Sequence, residues 1–315
     1  MAETAYVAVP LAGSGVINAP APETGTATGL KANRKGEPMK KPDLKIPANS
    51  CDAHIHIIDP RFAPADPATP VAQGQSMADY RKVREQLGLR RAVIVQPKYY
   101  ATDNRCTLDA IAQMRGQARG IAVVDTGVTD KELIHLHEGG IRGLRFSLWN
   151  AGNQVISVAM IKPLAERIAE FGWHVQIHMG AEQILEQQTL LAGLPVPVVF
   201  DHMGRLPAGS NANHPAFRFM ARLIDADRAW VKLSGPYLNT VEGGPRYGDV
   251  RTLARALATF APQRMVWGSD WPHITEAHKP DDADLLDLLL DWTDSDAARQ
   301  AILVDNPAQL YGFDD

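Results

Sequence analysis

Eight short runs of apolar and β-branched residues recur along this chain, and stretches with helical spacing separate them. This alternation predicts parallel strands, because each helix carries the chain back across the sheet before the next strand begins. The predicted strands are residues 51–57, 92–96, 120–125, 143–147, 174–179, 196–202, 230–234 and 265–270. The predicted helices are residues 77–87, 104–114, 130–137, 160–171, 182–191, 215–226 and 247–260, followed by a final helical section at 282–310.

The number and order of these elements favour one closed barrel. Eight strand–helix pairs within 315 residues match the size of a (β/α)8 TIM barrel with right-handed crossovers. An open, doubly wound sheet is the alternative, but the sequence has no Walker A motif and no Gly-x-Gly-x-x-Gly after the first strand. We therefore predict an α/β protein with a single barrel domain at residues 47–315.

Residues 1–46 differ from the rest of the chain. They are rich in Ala, Pro, Gly and Thr and show no sustained period, so we predict an extended or disordered N-terminal arm. The first basic residue is Lys31, whereas a secretory signal begins with a basic segment. The sequence leaves open whether the arm is ordered against the barrel or against a neighbouring subunit.

Composition argues against several classes of partner. The 32 basic and 36 acidic residues give a net charge of −4, which is unsuited to nucleic acid. No apolar run approaches the roughly 20 residues of a membrane span. The two cysteines, Cys51 and Cys106, form no disulfide framework, so we predict a reducing, cytoplasmic location. The number of subunits stays open, a homo-oligomer included.

Histidines and one aspartate occur where four predicted strands end. His54 and His56 alternate along the first strand and share one face, while His178 ends the fifth strand, His202 the sixth and Asp270 the eighth. We expect them to meet at one mouth, because barrel chemistry lies at the carboxyl ends of the strands. Each histidine alone is compatible with an ordinary buried role, but together they suit a divalent metal such as Zn²⁺.

Five segments give the chain a resemblance to the amidohydrolase superfamily, in particular to its amidohydrolase-2 branch of lactone-acting enzymes. They are CDAHIH at 51–56, GIRGLRF at 140–146, DHMGR at 201–205, WGSDWPH at 267–273 and DNP at 305–307. The resemblance covers residues 51–311.

The resemblance implies that His54, His56, His178 and Asp270 occupy the metal-ligand positions of the superfamily, and that His202 holds the sixth-strand position. A metal-free lactonase of this branch lacks the fifth-strand histidine, so His178 favours a bound metal. The fourth strand has no bridging lysine or glutamate, which favours one ion over two, with Zn²⁺ ahead of Mn²⁺. A metal-free site is the alternative.

These positions predict a hydrolase that opens a lactone. We expect Asp270 to accept a proton from water as general base, with or without a metal, and to return it to the leaving alkoxide. We expect His202, His54 and His56 to stabilise the oxyanion.

Cations near the mouth predict a small substrate with a carboxylate or sulfonate group. Arg145 at the end of the fourth strand and Arg205 after the sixth offer guanidinium groups, and Lys98 after the second strand suits a second anion. Tyr237 and Trp149 are expected to wall the ring or to form hydrogen bonds, with a core role as the alternative for each. The candidates are sulfonated, muconic-type and sugar-acid lactones.

Three other activities are kept as alternatives. The same fold could isomerise a sugar-acid lactone without consuming water, or serve as a metal-dependent decarboxylase. A non-catalytic barrel that binds a metabolite is the last, and it has little need for this set of histidines.

Overall fold

Eight parallel strands follow one another around a single sheet in the order of the sequence. This computed structural model describes residues 40–150 and 155–314. The strands are β1 (Cys51–Ile55), β2 (Arg91–Val95), β3 (Ala118–Ala122), β4 (Ile141–Ser147), β5 (His174–His178), β6 (Val198–Phe200), β7 (Ala229–Leu233) and β8 (Met265–Trp267). β6 and β8 end earlier than predicted, because His202 and Asp270 adopt φ values of 50° and 64°, which turn the chain out of the sheet.

Two backbone hydrogen bonds close the sheet between β1 and the segment that follows β8. The amide of Asp270 donates to the carbonyl of His54 at 2.8 Å, and the amide of His56 donates to the carbonyl of Trp271 at 2.7 Å. The predicted (β/α)8 barrel is therefore confirmed.

Helices cover the outside of the barrel. They are α1 (Met77–Leu87), α2 (Arg105–Gln113), α3 (Asp130–Glu138), α4 (Ile161–Ile168), α5 (Ala181–Glu186), α6 (Gln188–Ala192), α7 (Pro215–Asp225), α8 (Gly248–Phe260), α9 (Asp282–Trp292), α10 (Asp296–Gln300) and α11 (Asn306–Tyr311). α1 has the predicted bounds because Ser76 and Asp79 form a capping box before it and Gly88 ends it at φ 70°. Within the described ranges, no helix is long and apolar enough to cross a membrane.

The predicted final helical section, 282–310, is divided into three helices. α9 ends where Thr293 takes an extended conformation, and the Ser295 hydroxyl caps α10 by accepting the N–H of Ala298 at 3.1 Å. A π-helical turn, Ala301–Asp305, leads into α11. The predicted helix at 182–191 is similarly split into α5 and α6 at Gln187. Apolar residues recur through these breaks, so periodicity alone does not reveal them.

The two ends of the barrel differ in polarity. At the amino-terminal end, Tyr311 and Phe313 belong to an apolar cluster that includes Cys51, the first residue of β1. The Arg91 guanidinium at the start of β2 donates to the carbonyl of Asp314 at 2.6 Å and fixes the chain there. The carboxyl ends of the strands therefore form the open, polar mouth.

The predicted arm lies mostly outside the described residues, which begin at Lys40. From there the chain lies against the barrel, because Leu44 is buried and Ile46 packs against the core. The amide of Leu44 also donates to the carboxylate of Asp287 on α9 at 2.9 Å.

Candidate active site

One carboxylate oxygen of Asp270 faces both histidines of β1. Its Oδ1 lies 3.5 Å from Nε2 of His54 and 3.4 Å from Nε2 of His56, and these two nitrogens are 3.3 Å apart. The left-handed backbone of Asp270 directs its side chain toward β1. All three residues are buried. The structure thus brings together three of the side chains that the sequence singled out.

The other oxygen of Asp270 is held by a chain of hydrogen bonds. The hydroxyl of Tyr237 donates to Oδ2 at 2.7 Å and lies 2.9 Å from Nδ1 of His273, whose Nε2 is 3.0 Å from Oδ1 of Asp282. Sequence reasoning identified Tyr237 as a site residue but missed His273 and Asp282. The available signal was the position of His273, three residues after Asp270.

A second buried carboxylate, Asp201, faces the other ring nitrogen of His54. Its Oδ1 lies 3.4 Å from Nδ1 of His54 and 3.8 Å from Nζ of Lys232, while Nε of Arg145 donates to its Oδ2 at 3.0 Å. Burial raises the pKa of this carboxyl, but His54, Arg145 and Lys232 hold it well below its usual range. Sequence reasoning missed Lys232, although a lysine inside the apolar run of β7 was a usable signal.

His202 and His178 complete the cluster at the mouth. The ring centroid of His202 is 4.8 Å from that of His54 and 5.2 Å from that of His178. Nδ1 of His202 lies 2.9 Å from the hydroxyl of Ser234, and Nδ1 of His178 lies 3.0 Å from the hydroxyl of Ser147. Nε2 of His178 is buried and has no hydrogen-bond partner within the part of the chain that the structure describes.

Burial keeps three of these imidazoles neutral near pH 7. It lowers the pKa of His202 to about 4. It also lowers the pKa of His54, with help from the Lys232 charge, and that of His178, with help from Arg145. None of the three is therefore a permanent cation at the mouth.

Asp270 stays ionised in the same surroundings. Burial by itself raises the pKa of its carboxyl, but the facing imidazoles of His202, His56 and His54 attract the carboxylate when they are protonated and so hold its pKa well below the usual range. The site thus contains an ionised carboxylate beside neutral imidazoles, which is the arrangement that a general base requires.

Two groups of side chains place three ligand atoms within 4.8 Å of one another. They are His54, His56 and Asp270, and His54, Asp201 and His202. The first group fits a divalent cation, because Nδ1 of His56 is bonded to the carbonyl of Val95 at 2.8 Å and leaves Nε2 directed at Asp270.

The second group fits a cation less well. Arg145 and Lys232 already compensate the charge of Asp201, and an added ion would meet both of them. His178, which the resemblance places among the ligands, lies outside both groups. Its Nδ1 is instead occupied by Ser147 and, at 3.4 Å, by the guanidinium of Arg145.

Arg205 and Trp149 form a stacked pair at the mouth. Cζ of Arg205 lies 4.0 Å from the centroid of the Trp149 ring, which stacks on His178 at 6.5 Å. Gly180 leaves room for this ring, because a Cβ there would approach the indole to 2.6 Å. Trp149 is 47% exposed, which argues against a core role. Arg205 forms no ion pair with any described residue, so its guanidinium is free to meet an anion.

Two further cations line one cavity beside the site. Lys98 and Arg145 contribute to it together with Gln96, Ala101, Val123, Ser147, Val155 and Ile156. Lys98 is exposed and forms no ion pair within the described ranges. Gln96 is committed to its own loop, since its amide donates to the carbonyls of Ala101 and Asp103. The cavity therefore combines the unpaired charge of Lys98 with largely apolar walls, since Arg145 is already paired with Asp201.

Comparison with known proteins gives the family. The family model described as amidohydrolase matches residues 51–313. The chain is 35% identical to a 2-pyrone-4,6-dicarboxylate hydrolase of Comamonas testosteroni, covering 86% of this chain and 92% of that protein. It is 33% identical to a 4-sulfomuconolactone hydrolase of Rhizobium radiobacter (85% and 91%) and 30% identical to a D-galactarolactone isomerase of Agrobacterium fabrum (86% and 93%).

The fold agrees with this relationship. An apo crystal structure from Agrobacterium tumefaciens matches with a TM-score of 0.79 at 30% identity, over 87% of this chain and 99% of that one. The five sequence segments, the barrel and the family match all lead to one conclusion: this chain belongs to the amidohydrolase family.

Proposed function

We propose that this chain is a hydrolase that opens a small lactone carrying a carboxylate or sulfonate group. The observation that carries the proposal is the placement of Asp270, whose Oδ1 faces His54 and His56 at a mouth that also holds Arg205 and Lys98. The relatives named as lactone hydrolases support the same reaction class.

Asp270 acts as the general base. A water molecule beside Oδ1 gives a proton to the carboxylate while its oxygen bonds to the lactone carbonyl carbon. When the tetrahedral intermediate collapses, the ring C–O bond breaks and Asp270 returns the proton to the leaving alkoxide oxygen. The product is a hydroxy acid, and the base is regenerated.

Imidazole N–H groups stabilise the charge that develops on the carbonyl oxygen. Arg145 can only donate to Nδ1 of His178, so that nitrogen accepts and Nε2 carries the proton. This buried N–H lacks a partner among the described residues and is therefore free for the oxyanion. His202 is neutral, because its pKa is lowered to about 4, and it donates from Nε2 when its Nδ1 accepts the hydroxyl of Ser234. His54 lies beside it, with the ring centroids 4.8 Å apart.

The substrate anion is held by cations with no competing carboxylate. Arg205 is stacked on Trp149 and forms no ion pair with any described residue, so its guanidinium can bind a carboxylate or sulfonate. Lys98 offers a second charge beside Arg145 in the neighbouring cavity. Tyr237 lies close enough to Asp270 to contact the ring of a bound lactone.

His54, His56 and Asp270 are proposed to hold one divalent cation, Zn²⁺ in preference to Mn²⁺. Two imidazole nitrogens and one carboxylate oxygen form the ligand set of many catalytic zinc sites. When bound, such an ion makes a coordinated water more acidic. A reaction by Asp270 and the histidines without metal is the alternative.

Isomerisation of a sugar-acid lactone is the second candidate. The observation in its favour is the D-galactarolactone isomerase among the relatives, although its identity of 30% is lower than that of the two hydrolases. An isomerase would move the acyl group between hydroxyls of one substrate and consume no water. The fate of water therefore separates the two candidates.

A cytoplasmic location is also part of the proposal. Cys51 and Cys106 are both free and buried, which suits a reducing compartment.

Turnover in ¹⁸O-labelled water tests the reaction class. With 4-sulfomuconolactone, 2-pyrone-4,6-dicarboxylate and D-galactarolactone as probes, we expect ring opening with one ¹⁸O in the new carboxylate, read by mass spectrometry. Asp270→Asn should lower kcat roughly 100- to 10,000-fold, the range expected for loss of a general base. A rearranged lactone without label would establish the isomerase instead, and release of carbon dioxide would establish a decarboxylase.

A further inference from the structure

The two oxygens of Asp270 have different surroundings. Oδ1 faces the histidine pair, whereas Oδ2 accepts a hydrogen bond of 2.7 Å from the hydroxyl of Tyr237. That hydroxyl is 2.9 Å from Nδ1 of His273, and Nε2 of His273 is 3.0 Å from Oδ1 of Asp282. His273 is 2% exposed, so water does not compete for its ring nitrogens. An unbroken chain of contacts therefore runs from α9 to the base.

We propose that His273 and Asp282 are positioning residues for the reaction, acting on Asp270 through Tyr237. They hold the Tyr237 hydroxyl against Oδ2, which fixes the rotation of the carboxylate and keeps Oδ1 directed at His54. This inference rests on the proposed function, in which Oδ1 accepts the proton of water.

The direction of the hydrogen bonds supports this role. The carboxylate oxygen of Asp282 accepts in this contact, and Nε2 of His273 donates to it. The single hydroxyl proton of Tyr237 goes to Oδ2 of Asp270, so the Tyr237 oxygen can only accept a hydrogen bond from Nδ1 of His273. Both ring nitrogens of His273 then act as donors, and the ring cannot rotate without losing both contacts. Tyr237 in turn stands edge-on to this ring, with centroids 5.3 Å apart. Asp282 on α9 thus fixes the position of the Tyr237 hydroxyl through His273.

The competing explanation is that Asp282 only stabilises its helix. It is the first residue of α9, where an acidic side chain interacts favourably with the helix dipole. Asp284 lies in the same first turn and contacts Lys40 instead of His273. The pair of variants Asp282→Ala and Asp284→Ala therefore separates an effect on the site from an effect on the helix.

Steady-state kinetics on the full chain, with the probe lactone that the parent opens fastest, test the proposal. We expect Asp282→Ala to lower kcat about 10-fold with KM within about twofold, and Asp284→Ala to change neither, although both should lower the melting temperature slightly. Asp282→Asn, which keeps an acceptor oxygen, should recover most of the lost kcat. In a Tyr237→Phe background, Asp282→Ala should lower kcat less than twofold, because the hydrogen bond that links it to Asp270 is already absent.

Equal losses for the two alanine variants, or an undiminished loss in the Tyr237→Phe background, would overturn the proposal. Crystal structures of the parent and both alanine variants provide a readout that does not depend on activity. The carboxylate of Asp270 should rotate in Asp282→Ala and stay in place in Asp284→Ala, and an unmoved carboxylate in both contradicts the inference. A parent protein that opens no lactone would refute the proposed function. The crystal structures would still decide whether Asp282 positions the Asp270 carboxylate.

Discussion

His56 and His178 lie at the same mouth, yet they have different partners. Nε2 of His56 faces the Asp270 carboxylate, and its Nδ1 is fixed by the carbonyl of Val95. His178 has its Nδ1 against Ser147, and its Nε2 is outside every group of ligand atoms found among the described residues. A sequence resemblance assigns both histidines to a metal, whereas from their contacts we propose that His56 is a ligand and His178 a hydrogen-bond donor.

Metal content checks this distinction. We expect the purified protein to hold about one equivalent of Zn²⁺ by elemental analysis, because three protein ligands with an open position are typical of catalytic zinc. His56→Ala should lose most of the ion, and His178→Ala should retain it while losing lactone turnover. Retention in the first variant or loss in the second would contradict the ligand set. An active parent without metal would leave the chemistry to Asp270 and the histidines.

At this scale, the sequence predicts where a side chain lies when strand geometry fixes the direction in which that side chain points. Alternation along β1 puts His54 and His56 on one face, and a barrel puts Asp270 at the same end. The partners of those residues were not predictable in the same way. Lys232 meets Asp201 from the neighbouring strand, and His273 meets Asp282 across a loop, so both contacts depend on register and loop conformation.

At the scale of elements, the seam between β1 and β8 positions Asp270, the proposed base. Asp52 on β1 accepts hydrogen bonds from the backbone N–H and the hydroxyl of Ser269, at 2.9 and 2.6 Å, and from the hydroxyl of Tyr80 at 3.2 Å. Burial raises the pKa of the Asp52 carboxyl to about 7, while the bonds from Ser269 oppose the shift. The Ser269 hydroxyl also accepts the N–H of Trp271, so it holds the turn that carries Asp270.

Ser269→Ala should therefore affect both stability and catalysis. Removal of the hydroxyl leaves buried polar groups without partners, which costs about 1–3 kcal/mol of unfolding free energy, and it loosens the turn next to Asp270. Tyr80→Phe removes the hydrogen bond that Tyr80 on α1 donates to the Asp52 carboxylate. We therefore expect the unfolding free energy to fall by about 1 kcal/mol while kcat stays unchanged. Urea unfolding and kinetics on both variants provide the comparison. Equal kcat in Ser269→Ala and the parent would show that the seam does not position the base.

The same scale shows what periodicity can and cannot predict. All eight strands and the outer helices were predictable, because each buries apolar residues at a regular spacing. The division of 282–310 into α9, α10 and α11 was not, since it depends on the extended backbone at Thr293 and on the cap at Ser295, while Ile302 and Leu303 continue the apolar pattern.

At the scale of the whole molecule, the barrel separates stability from chemistry. The site occupies the carboxyl end of the strands, and the amino-terminal end is closed by residues from the end of the chain. There the Phe313 ring lies under two guanidinium groups, with Cζ of Arg91 at 5.2 Å and Cζ of Arg119 at 4.8 Å from its centroid. None of these three residues contacts Asp270 or the two histidines that face it.

Phe313→Ala tests this separation. Loss of a buried aromatic side chain should reduce the unfolding free energy by about 3 kcal/mol, with further loss from the two cation–π contacts. kcat and KM at a temperature where the variant stays folded should equal those of the parent, since every proposed catalytic group lies at the other end. Phe260→Ala, which removes a ring that is 41% exposed, should cost far less stability and serves as the matched control. A fall in kcat for Phe313→Ala without unfolding would mean that the two ends of the barrel are coupled.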